Sequence, residues 1–387
     1  KAVAGATVFY NGAMLTPTLT GTFHLEDVPA SFQFKVLAPG YKKMETQIDR
    51  QKAADLKLEP FVARAIYFSF YTTGWDERRE KLLSLVDKTE LNAVVFDVKG
   101  DYGYISYPTS VPLAKQIGAE KIMVKDMDAM VASLHKRNIY TIARIVVFKD
   151  NQLATAHPEW AVKTRNGAAY VDNEDLRWVD PFRKEVWDYN IAIAEEVARK
   201  GFDEVQFDYI RFPSEGSVSG NVYSRQPTEE SRVTAISSFL AAARARLKPL
   251  GVFVSADVFG WTMYREDDMG IGQQIDQFAP YVDYLCPMVY PSGWGPGSLG
   301  ISDPVARPYD IVLQSAKKGV ERLLKVSTVR IRPWLQDFDD YGPSKRPYGV
   351  ADVVAQKKAA ADAGASGWMF WNASAIYSEA AYAPDGR

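Results

Sequence analysis

The chain has 387 residues, more than one typical domain, with 24% charged residues, 13% aromatic residues and a net charge of −2. It contains no basic run, which argues against nucleic acid or an anionic membrane surface as a partner. No apolar stretch is long enough to span a bilayer, and no signal peptide is recognisable at Lys1. We therefore expect a monomer with one large domain and a smaller appendage.

The first 58 residues predict a small all-β domain. Short strands are expected at residues 6–10, 21–25, 31–37 and 43–48, between turn signals such as Asn11-Gly12 and Pro39-Gly40. The strings Gly5-Ala-Thr-Val8 and Ala38-Pro-Gly-Tyr41 resemble carboxypeptidase regulatory-like and PEGA-type modules. This resemblance implies a β-sandwich accessory domain over residues 1–58. Polar residues from 49 to 60 predict a linker, and the second domain is expected over 59–387.

From residue 63 onward, strand-like and helix-like segments alternate. Eight strands are expected at 65–70, 93–98, 141–148, 204–210, 252–257, 284–289, 330–335 and 367–371. Helical periodicity appears at 77–89, 127–136, 181–200, 229–247 and 350–363, and Asp180-Pro181 is a predicted helix start. Eight such units favour an α/β fold of the closed (β/α)₈ TIM barrel type, with an open doubly wound sheet as the alternative. No glycine-rich phosphate fingerprint follows the first strand, which favours the barrel.

Polar and aromatic residues gather at the carboxyl ends of the predicted strands, where TIM barrels form their sites. The candidates are Asp97, Lys99, Asp208, Arg211, Asp257, Met288, Tyr290, Trp334, Gln336, Trp371 and Asn372. Asp208 is the most informative of them, because it lies near the end of a strand that should be buried. An ionised group is unfavourable there unless it is paired or hydrogen-bonded. A structural aspartate that caps the next loop is the alternative.

Period-two alternation along a strand predicts which residues share a face. In the fourth strand, Gln206 and Asp208 are expected to point into the barrel, whereas Tyr209 is expected to face the helices. In the second strand, Asp97 and Lys99 are expected to point inward together. Both strands therefore predict a carboxylate inside the mouth of the barrel.

Charged neighbours predict different protonation states for two of these carboxyl groups. Arg144 is expected on the strand next to Asp208, where it would lower the pKa of that carboxyl and keep it ionised. An apolar setting is expected to raise the pKa of Asp257, which could then act as an acid. A purely structural ion pair is the alternative for Arg144.

A charged and a protonated carboxyl across a cleft are the pair that glycoside hydrolysis requires. Asp208 is then the predicted nucleophile and Asp257 the predicted acid/base. Aromatic rings expected around the cleft could stack on sugar rings, with ordinary core packing as the alternative for each. They are Trp75, Trp261, Tyr290, Trp294, Trp334 and Trp371.

Several strings occur in an order that resembles a known family. They include Phe96-Asp-Val-Lys-Gly100, His157-Pro-Glu-Trp-Ala161, Phe202-Asp-Glu-Val-Gln-Phe-Asp-Tyr-Ile-Arg-Phe-Pro213 and Pro287-Met-Val-Tyr-Pro291. Over roughly residues 63–375 the chain resembles the glycoside hydrolase family formerly called DUF4015. The resemblance implies a TIM barrel allied to α-amylase-like glycosidases, a carbohydrate substrate, an extracytoplasmic location and Asp208 as nucleophile. Where the amylase pattern has a glutamate after strand five, this chain has Asp257, so Asp97 remains the alternative acid/base.

Other chemistries have less support in the sequence. The three histidines are scattered without ligand spacing, so we expect no metal and no cofactor. Cys286 lies in an apolar run and is expected to be a buried thiol. Two rival functions stay open: a Schiff-base enzyme that uses Lys99, and a non-catalytic carbohydrate-binding protein of the cell envelope.

Overall fold

The structure, a computed structural model, describes residues 3–16, 25, 28–49 and 57–383. The first unit is an antiparallel sheet of β1 (Thr7–Tyr10), β2 (Ala13–Met14), β3 (Ser31–Leu37) and β4 (Met44–Asp49), in the order β2-β1-β3-β4. Three of the four predicted strands are confirmed, and the one at 21–25 lies almost wholly outside the described residues. The described part forms one sheet, so the second layer of a sandwich stays a prediction.

The second unit is a closed barrel of eight parallel strands, as predicted. This unit contains eleven strands, including two outside the barrel. In chain order they are β5 (Ala63–Phe68), β6 (Ala93–Lys99), β7 (Tyr140–Val146), β8 (Lys163–Thr164), β9 (Glu204–Asp208), β10 (Asn221–Val222), β11 (Phe253–Phe259), β12 (Tyr284–Met288), β13 (Arg330–Ile331), β14 (Trp334–Gln336) and β15 (Gly367–Trp371). The short β8 and β10 pair with each other outside the barrel, and β13 and β14 together form its seventh strand. The ring closes because β11 pairs with β12 and β15 pairs with β5.

Helices surround the barrel. They are α1 (Phe70–Gly74), α2 (Asp76–Lys88), α3 (Pro112–Gln116), α4 (Met127–Lys136), α5 (Asn151–Ala156), α6 (Lys184–Arg199), α7 (Glu229–Leu247), α8 (Ile275–Phe278), α9 (Pro308–Leu323) and α10 (Val350–Asp362). None of the helices in the described part of the chain is long and apolar enough to cross a membrane.

Two helix predictions need correction. The helix expected from residue 181 begins at Lys184, because the Asp180 carboxylate accepts hydrogen bonds from the amides of Phe182 and Ser224 and forms a turn before it. Helix α9 was not predicted, and its interior Gly319 weakens the helical pattern. That glycine is needed because a Cβ there would lie 2.5 Å from the sulfur of Met263.

The barrel interior is polar at both ends. Near the amino-terminal ends of the strands, Arg332 and Glu204 form a buried ion pair at 2.9 Å. The Arg332 guanidinium also lies 3.7 Å from the ring centre of Tyr284. Pro333 follows Arg332 and separates β13 from β14, since proline cannot donate a hydrogen bond to the sheet.

The small sheet covers this amino-terminal end of the barrel. Phe9 and Leu37 are 2% and 4% exposed and pack in one cluster with residues of the barrel interior, including Phe253 and Tyr284. The amide of Gly40 donates to the Tyr284 hydroxyl at 2.9 Å. The opposite end, where the strands finish, is therefore the end that holds the site described next.

Candidate active site

Arg144 is the centre of a buried cluster of carboxyl groups at the carboxyl ends of β6, β7 and β9. Its Nε and Nη2 donate to Asp208 Oδ2 at 2.9 and 2.6 Å, and its Nη1 donates to Asp97 Oδ1 at 2.6 Å. Strand pairing explains the contact, because Arg144 is in register with Asp97 and with Gln206, two residues before Asp208. Such charge-assisted pairs are the strong hydrogen bonds of proteins. The cluster fixes the orientation of the Asp208 carboxylate.

Asp257 lies beside Asp208 on the next strand. Ala256 pairs with Phe207, and Asp257 and Asp208 are the next residues of these two strands, so the two aspartates are neighbours across the strand pair. Asp257 is 1% exposed, its Oδ1 accepts from the Trp334 indole at 2.8 Å, and its Oδ2 has no hydrogen-bond partner. Burial, followed by the charge of Asp208, raises the pKa of Asp257 well above its ordinary value. The direction predicted for Asp257 from the sequence is therefore confirmed.

Asp97 is bound on both oxygens. The hydroxyl of Tyr67 donates to Oδ2 and Arg144 donates to Oδ1. Burial raises the pKa of Asp97, although these two neighbours act in the opposite direction. Trp371 stacks on Tyr67 with 3.9 Å between ring centres, so Asp97, Arg144 and the two rings form one packed unit.

Two adjoining cavities open at this end of the barrel. The inner one, of about 220 Å³, is lined by Arg144, Asp208, Tyr209, Arg211, Glu215, Phe259, Met288, Tyr290, Trp334 and Trp371. The outer one, of about 660 Å³, is half lined by aromatic residues and includes Phe259, Trp261, Met288, Tyr290, Trp294, Phe338, Tyr341, Trp371 and Asn372. Four residues line both cavities, so a ligand in the outer cavity would extend toward Asp208.

The chain turns sharply after Asp208. Tyr209 has a φ of 51°, which is uncommon for a residue other than glycine, and its amide donates to the Asp208 carboxylate at 2.6 Å. Tyr209 therefore lies beyond the end of the strand, where its ring packs edge-on against Trp178 with 5.6 Å between ring centres and the residue borders the inner cavity. Arg211 lies beside it and contacts Ser214 and Glu215.

Several predicted substrate-binding residues lie away from the cavities. Lys99 is fully buried in an ion pair with Asp150 at 2.8 Å, because the pairing of β6 with β7 shifts between Asp97 and Lys99 and redirects the lysine. Gln206 is buried deeper in the barrel against the sulfur atoms of Cys286 and Met369. Both are thus interior residues of the fold.

Two more of the predicted contacts lie elsewhere. Gln336 is fully buried and bonds to Ser292 and to the Phe338 carbonyl, so it holds two loops together. Trp75 is 56% exposed and lines a separate surface cavity with Ile376. Buried Cys286 agrees with its predicted role as a core thiol.

Asp101 belongs to the cluster and was missed from the sequence. It follows β6 by two residues, its side chain is 33% exposed, and its Oδ1 lies 3.8 Å from Arg144 Nη2. Its position after the strand end, in Lys99-Gly-Asp101, was the only signal available. Among the described residues, no group of histidine, cysteine and acidic side chains could hold a metal ion.

The fold and the acidic cluster define a TIM barrel of the kind found in glycoside hydrolases. The chain belongs to the DUF4015 family, described as "Putative glycosyl hydrolase domain", whose profile matches residues 65–377. No curated protein sequence matches the chain. A hypothetical protein from Ruminiclostridium thermocellum ATCC 27405 is 42% identical over 50% of this chain and 97% of its own, with a TM-score of 0.46.

More distant solved structures share the fold. The PgaB (BpsB) glycoside hydrolase domain from Bordetella bronchiseptica is 14% identical with a TM-score of 0.58, over 84% of this chain and 96% of that one. Alpha-L-fucosidase isoenzyme 2 from Paenibacillus thiaminolyticus is 14% identical with a TM-score of 0.56, over 83% and 48% respectively. At these identities the likeness shows the fold, and the site must be argued from its own geometry.

Proposed function

We propose that the protein is a glycoside hydrolase that cleaves a polysaccharide or an oligosaccharide, with Asp208 as the nucleophile. The position of Asp208 carries the proposal. It stands at the carboxyl end of a barrel strand, lines the inner cavity and receives two hydrogen bonds from Arg144. A carboxylate fixed in this way can attack the anomeric carbon of a sugar. Family membership supports the same reaction class.

The outer cavity supports a carbohydrate ligand. Its wall presents aromatic rings, among them Trp261, Tyr290, Tyr341 and Trp371, and Asn372 adds an amide. Aromatic rings stack well on the C–H faces of sugars, while neighbouring polar groups bind the hydroxyls. A sugar chain that lies along this wall would reach Asp208 through the shared residues.

The other two predicted carboxyl groups support Asp208 in different ways. Asp97 orients Arg144 and has both oxygens engaged. Burial beside Asp208 raises the pKa of Asp257, the residue that the sequence predicts as the acid/base. Asp97 and Asp257 are only 4% and 1% exposed, so a more exposed group is needed at the mouth for direct contact with the leaving oxygen.

The test is a screen of polysaccharides, including bacterial exopolysaccharides, for release of reducing ends. We expect Asp208→Asn to lower turnover on the order of 10³-fold or more, since the side chain keeps its size but loses its nucleophilic oxygen. Asp267→Asn, on an exposed loop acid that pairs with Arg265, is the matched control and should retain full activity. An Asp208→Asn variant that remains active would contradict the proposal.

A non-catalytic carbohydrate-binding protein is the alternative that the outer cavity also supports. In that case calorimetry would find the same glycan affinity in wild type and Asp208→Asn, with no turnover in either. The proposal also includes an extracytoplasmic location, which fractionation of cells expressing the whole gene would test.

A further inference from the structure

One carboxyl group of the cluster is unused by the proposed function. The side chain of Asp101 is 33% exposed. Asp208, Asp97 and Asp257 are far more buried, with whole-residue exposures of 7%, 4% and 1%. The glycosidic oxygen of a bound sugar comes from the solvent side of the barrel. A proton donor must approach it within hydrogen-bond distance, so exposure at the mouth separates Asp101 from its buried neighbours.

We propose that Asp101 is the acid/base that works with Asp208. It protonates the glycosidic oxygen in the first step and removes a proton from water in the second. This inference rests on the proposed function and assigns its proton donor, in place of Asp257.

The distance to Asp208 suits this role. Asp101 Oδ1 and Asp208 Oδ2 approach the same nitrogen, Arg144 Nη2, at 3.8 and 2.6 Å. These two oxygens are therefore separated by at most the sum of the two distances, about 6.4 Å. Carboxyl pairs of retaining glycosidases are about 5–5.5 Å apart and those of inverting enzymes about 6.5–9.5 Å. The geometry favours retention of anomeric configuration.

The turn that carries Asp101 is rigidly placed. The amide of Gly103 donates to the Gly100 carbonyl at 2.9 Å, and the amide of Gly100 donates to the Tyr104 carbonyl at 3.1 Å. Gly103 has a φ of 84°, and a Cβ there would lie 2.0 Å from Asp150 Oδ1. Asp101 thus sits at the corner of a turn that packs directly on the buried Lys99–Asp150 pair.

The surroundings of Asp101 also suit a proton donor. Although part of its side chain is exposed, burial of the carboxyl, together with the nearby charges of Asp97 and Asp208, raises its pKa to about 6 against the opposing effect of Arg144 and Lys149. The other titratable or charged groups packed near the turn are Tyr67, Lys99, Asp150 and Tyr209. A carboxyl of this kind is protonated in mildly acidic solution and can also accept a proton back.

The reaction balances with water as the only co-reactant. Asp208 forms a bond to the anomeric carbon as the glycosidic C–O bond breaks, and the Asp101 proton moves to the departing oxygen. This gives a glycosyl ester, a free alcohol and the Asp101 carboxylate. Asp101 then takes a proton from water as the water oxygen bonds to the anomeric carbon, the ester bond breaks, and Asp208 is restored as a carboxylate.

The experiment compares wild type, Asp101→Asn and Asp257→Asn on the cleaved polysaccharide and on 2,4-dinitrophenyl glycosides of the sugar released from it. We expect Asp101→Asn to lose about 10²–10⁴-fold on the polysaccharide, but less than about tenfold on the aryl glycoside, whose leaving group needs no proton. The wild-type kcat/KM should fall as the pH rises through about 6, because the acid loses its proton. Asp101→Asn should lack this fall, and NMR should find retained anomeric configuration in the wild-type product.

The controls separate this inference from the proposed function. Asp76→Asn removes an exposed carboxylate from the first turn of α2, at the same end of the barrel, and should leave all rates unchanged. Thermal unfolding of Asp101→Asn, with Asp101→Glu as the conservative variant that restores part of the rate, excludes a folding defect. If Asp208→Asn is inactive but Asp101→Asn keeps its rate and alkaline fall, this inference alone is overturned. An inverted product would mean that Asp208 is not a nucleophile, and it would overturn both this inference and the role proposed for Asp208. If the wild type cleaves nothing, both fall.

Discussion

A single guanidinium gives different environments to neighbouring carboxyl groups. Arg144 directs two of its donors to Asp208 and one to Asp97, and it donates no hydrogen bond to Asp257. Asp257 is as deeply buried as Arg144 but receives only the Trp334 indole. Burial without a hydrogen-bonded cation therefore raises the pKa of Asp257, and the negative charge of its register neighbour Asp208 acts in the same direction.

The raised pKa of Asp257 predicts how stability depends on pH. The folded protein retains a proton that the unfolded chain releases above about pH 4, so stability should fall as the pH rises above that value. We expect Asp257→Asn to reduce this fall by up to about 1.4 kcal/mol per pH unit. Urea unfolding at several values between about pH 5 and pH 8 measures it.

Glu321→Gln is the control for this series, because its side chain is 62% exposed and pairs only loosely with Lys317 at 3.9 Å. The free energy of unfolding of Glu321→Gln should depend on pH in the same way as that of the wild type. Equal slopes for Asp257→Asn and the wild type would mean that Asp257 is ionised in the folded protein.

At the scale of elements, a buried ion pair joins β6, β7 and α5. Lys99 at the end of β6 donates to the Val146 carbonyl of β7 at 2.6 Å and pairs with Asp150 at 2.8 Å. Asp150 in turn caps α5 by accepting from the amide of Leu153. This pair fixes the turn that carries Asp101, which explains why Lys99 is structural although it follows Asp97 so closely.

We expect Lys99→Met to destabilise the protein by about 3–5 kcal/mol, because it leaves the Asp150 carboxylate buried without its cation. Adding Asp150→Asn should recover most of the loss, since asparagine caps a helix as well as aspartate and carries no charge. Denaturant unfolding of the single and double variants measures both. If the double variant is no more stable than Lys99→Met, lost packing rather than the unpaired charge is the cause.

The sequence predicts the elements well where strands are regular. Alternation placed Asp97, Asp208 and Asp257 inside the barrel because each lies within a regular strand. It failed for Lys99, after a register shift, and it does not extend to Tyr209, which follows the strand in a left-handed conformation. Neither irregularity has a sequence signature, since tyrosine is an unusual residue at positive φ.

The remaining gaps have related physical causes. Asp101 lies in a turn beyond the register shift, where no periodicity relates it to Arg144. The outer cavity combines rings from the loops after β11, β12 and β14, such as Trp294 and Tyr341, with Trp371 at the end of β15, and only the closed barrel brings them together. Local patterns thus located the strands, while the tertiary structure determined which loop residues meet.

At the scale of the whole molecule, the small sheet and the barrel share packing. Phe9 lies among the barrel residues Phe253 and Tyr284, and Lys35 of the same sheet lies against Gly251. Because residues of the sheet and of the barrel are buried against each other, we expect the sheet to stabilise the barrel. This contact lies at the end of the barrel opposite the candidate site.

All nine tryptophans lie between Trp75 and Trp371, so tryptophan fluorescence reports on the barrel alone. We expect Phe9→Ala to destabilise the fluorescence-detected unfolding by about 3–5 kcal/mol through the cavity it leaves. Tyr10→Ala, on the opposite face of the sheet, is the matched control and should have a smaller effect on the barrel. An unchanged fluorescence transition in Phe9→Ala would show that the two units unfold independently.

The first and last barrel strands, β5 and β15, are hydrogen-bonded neighbours. During translation, every earlier strand leaves the ribosome while Trp371 is still in the exit tunnel. The nascent sheet therefore keeps two open edges, which can pair with other chains, until β15 has been synthesised and pairs with β5. The wall formed by Trp371 and Asn372 is also the last to appear, so a prematurely terminated polypeptide can contain every acidic residue of the site and still have no complete place for a ligand.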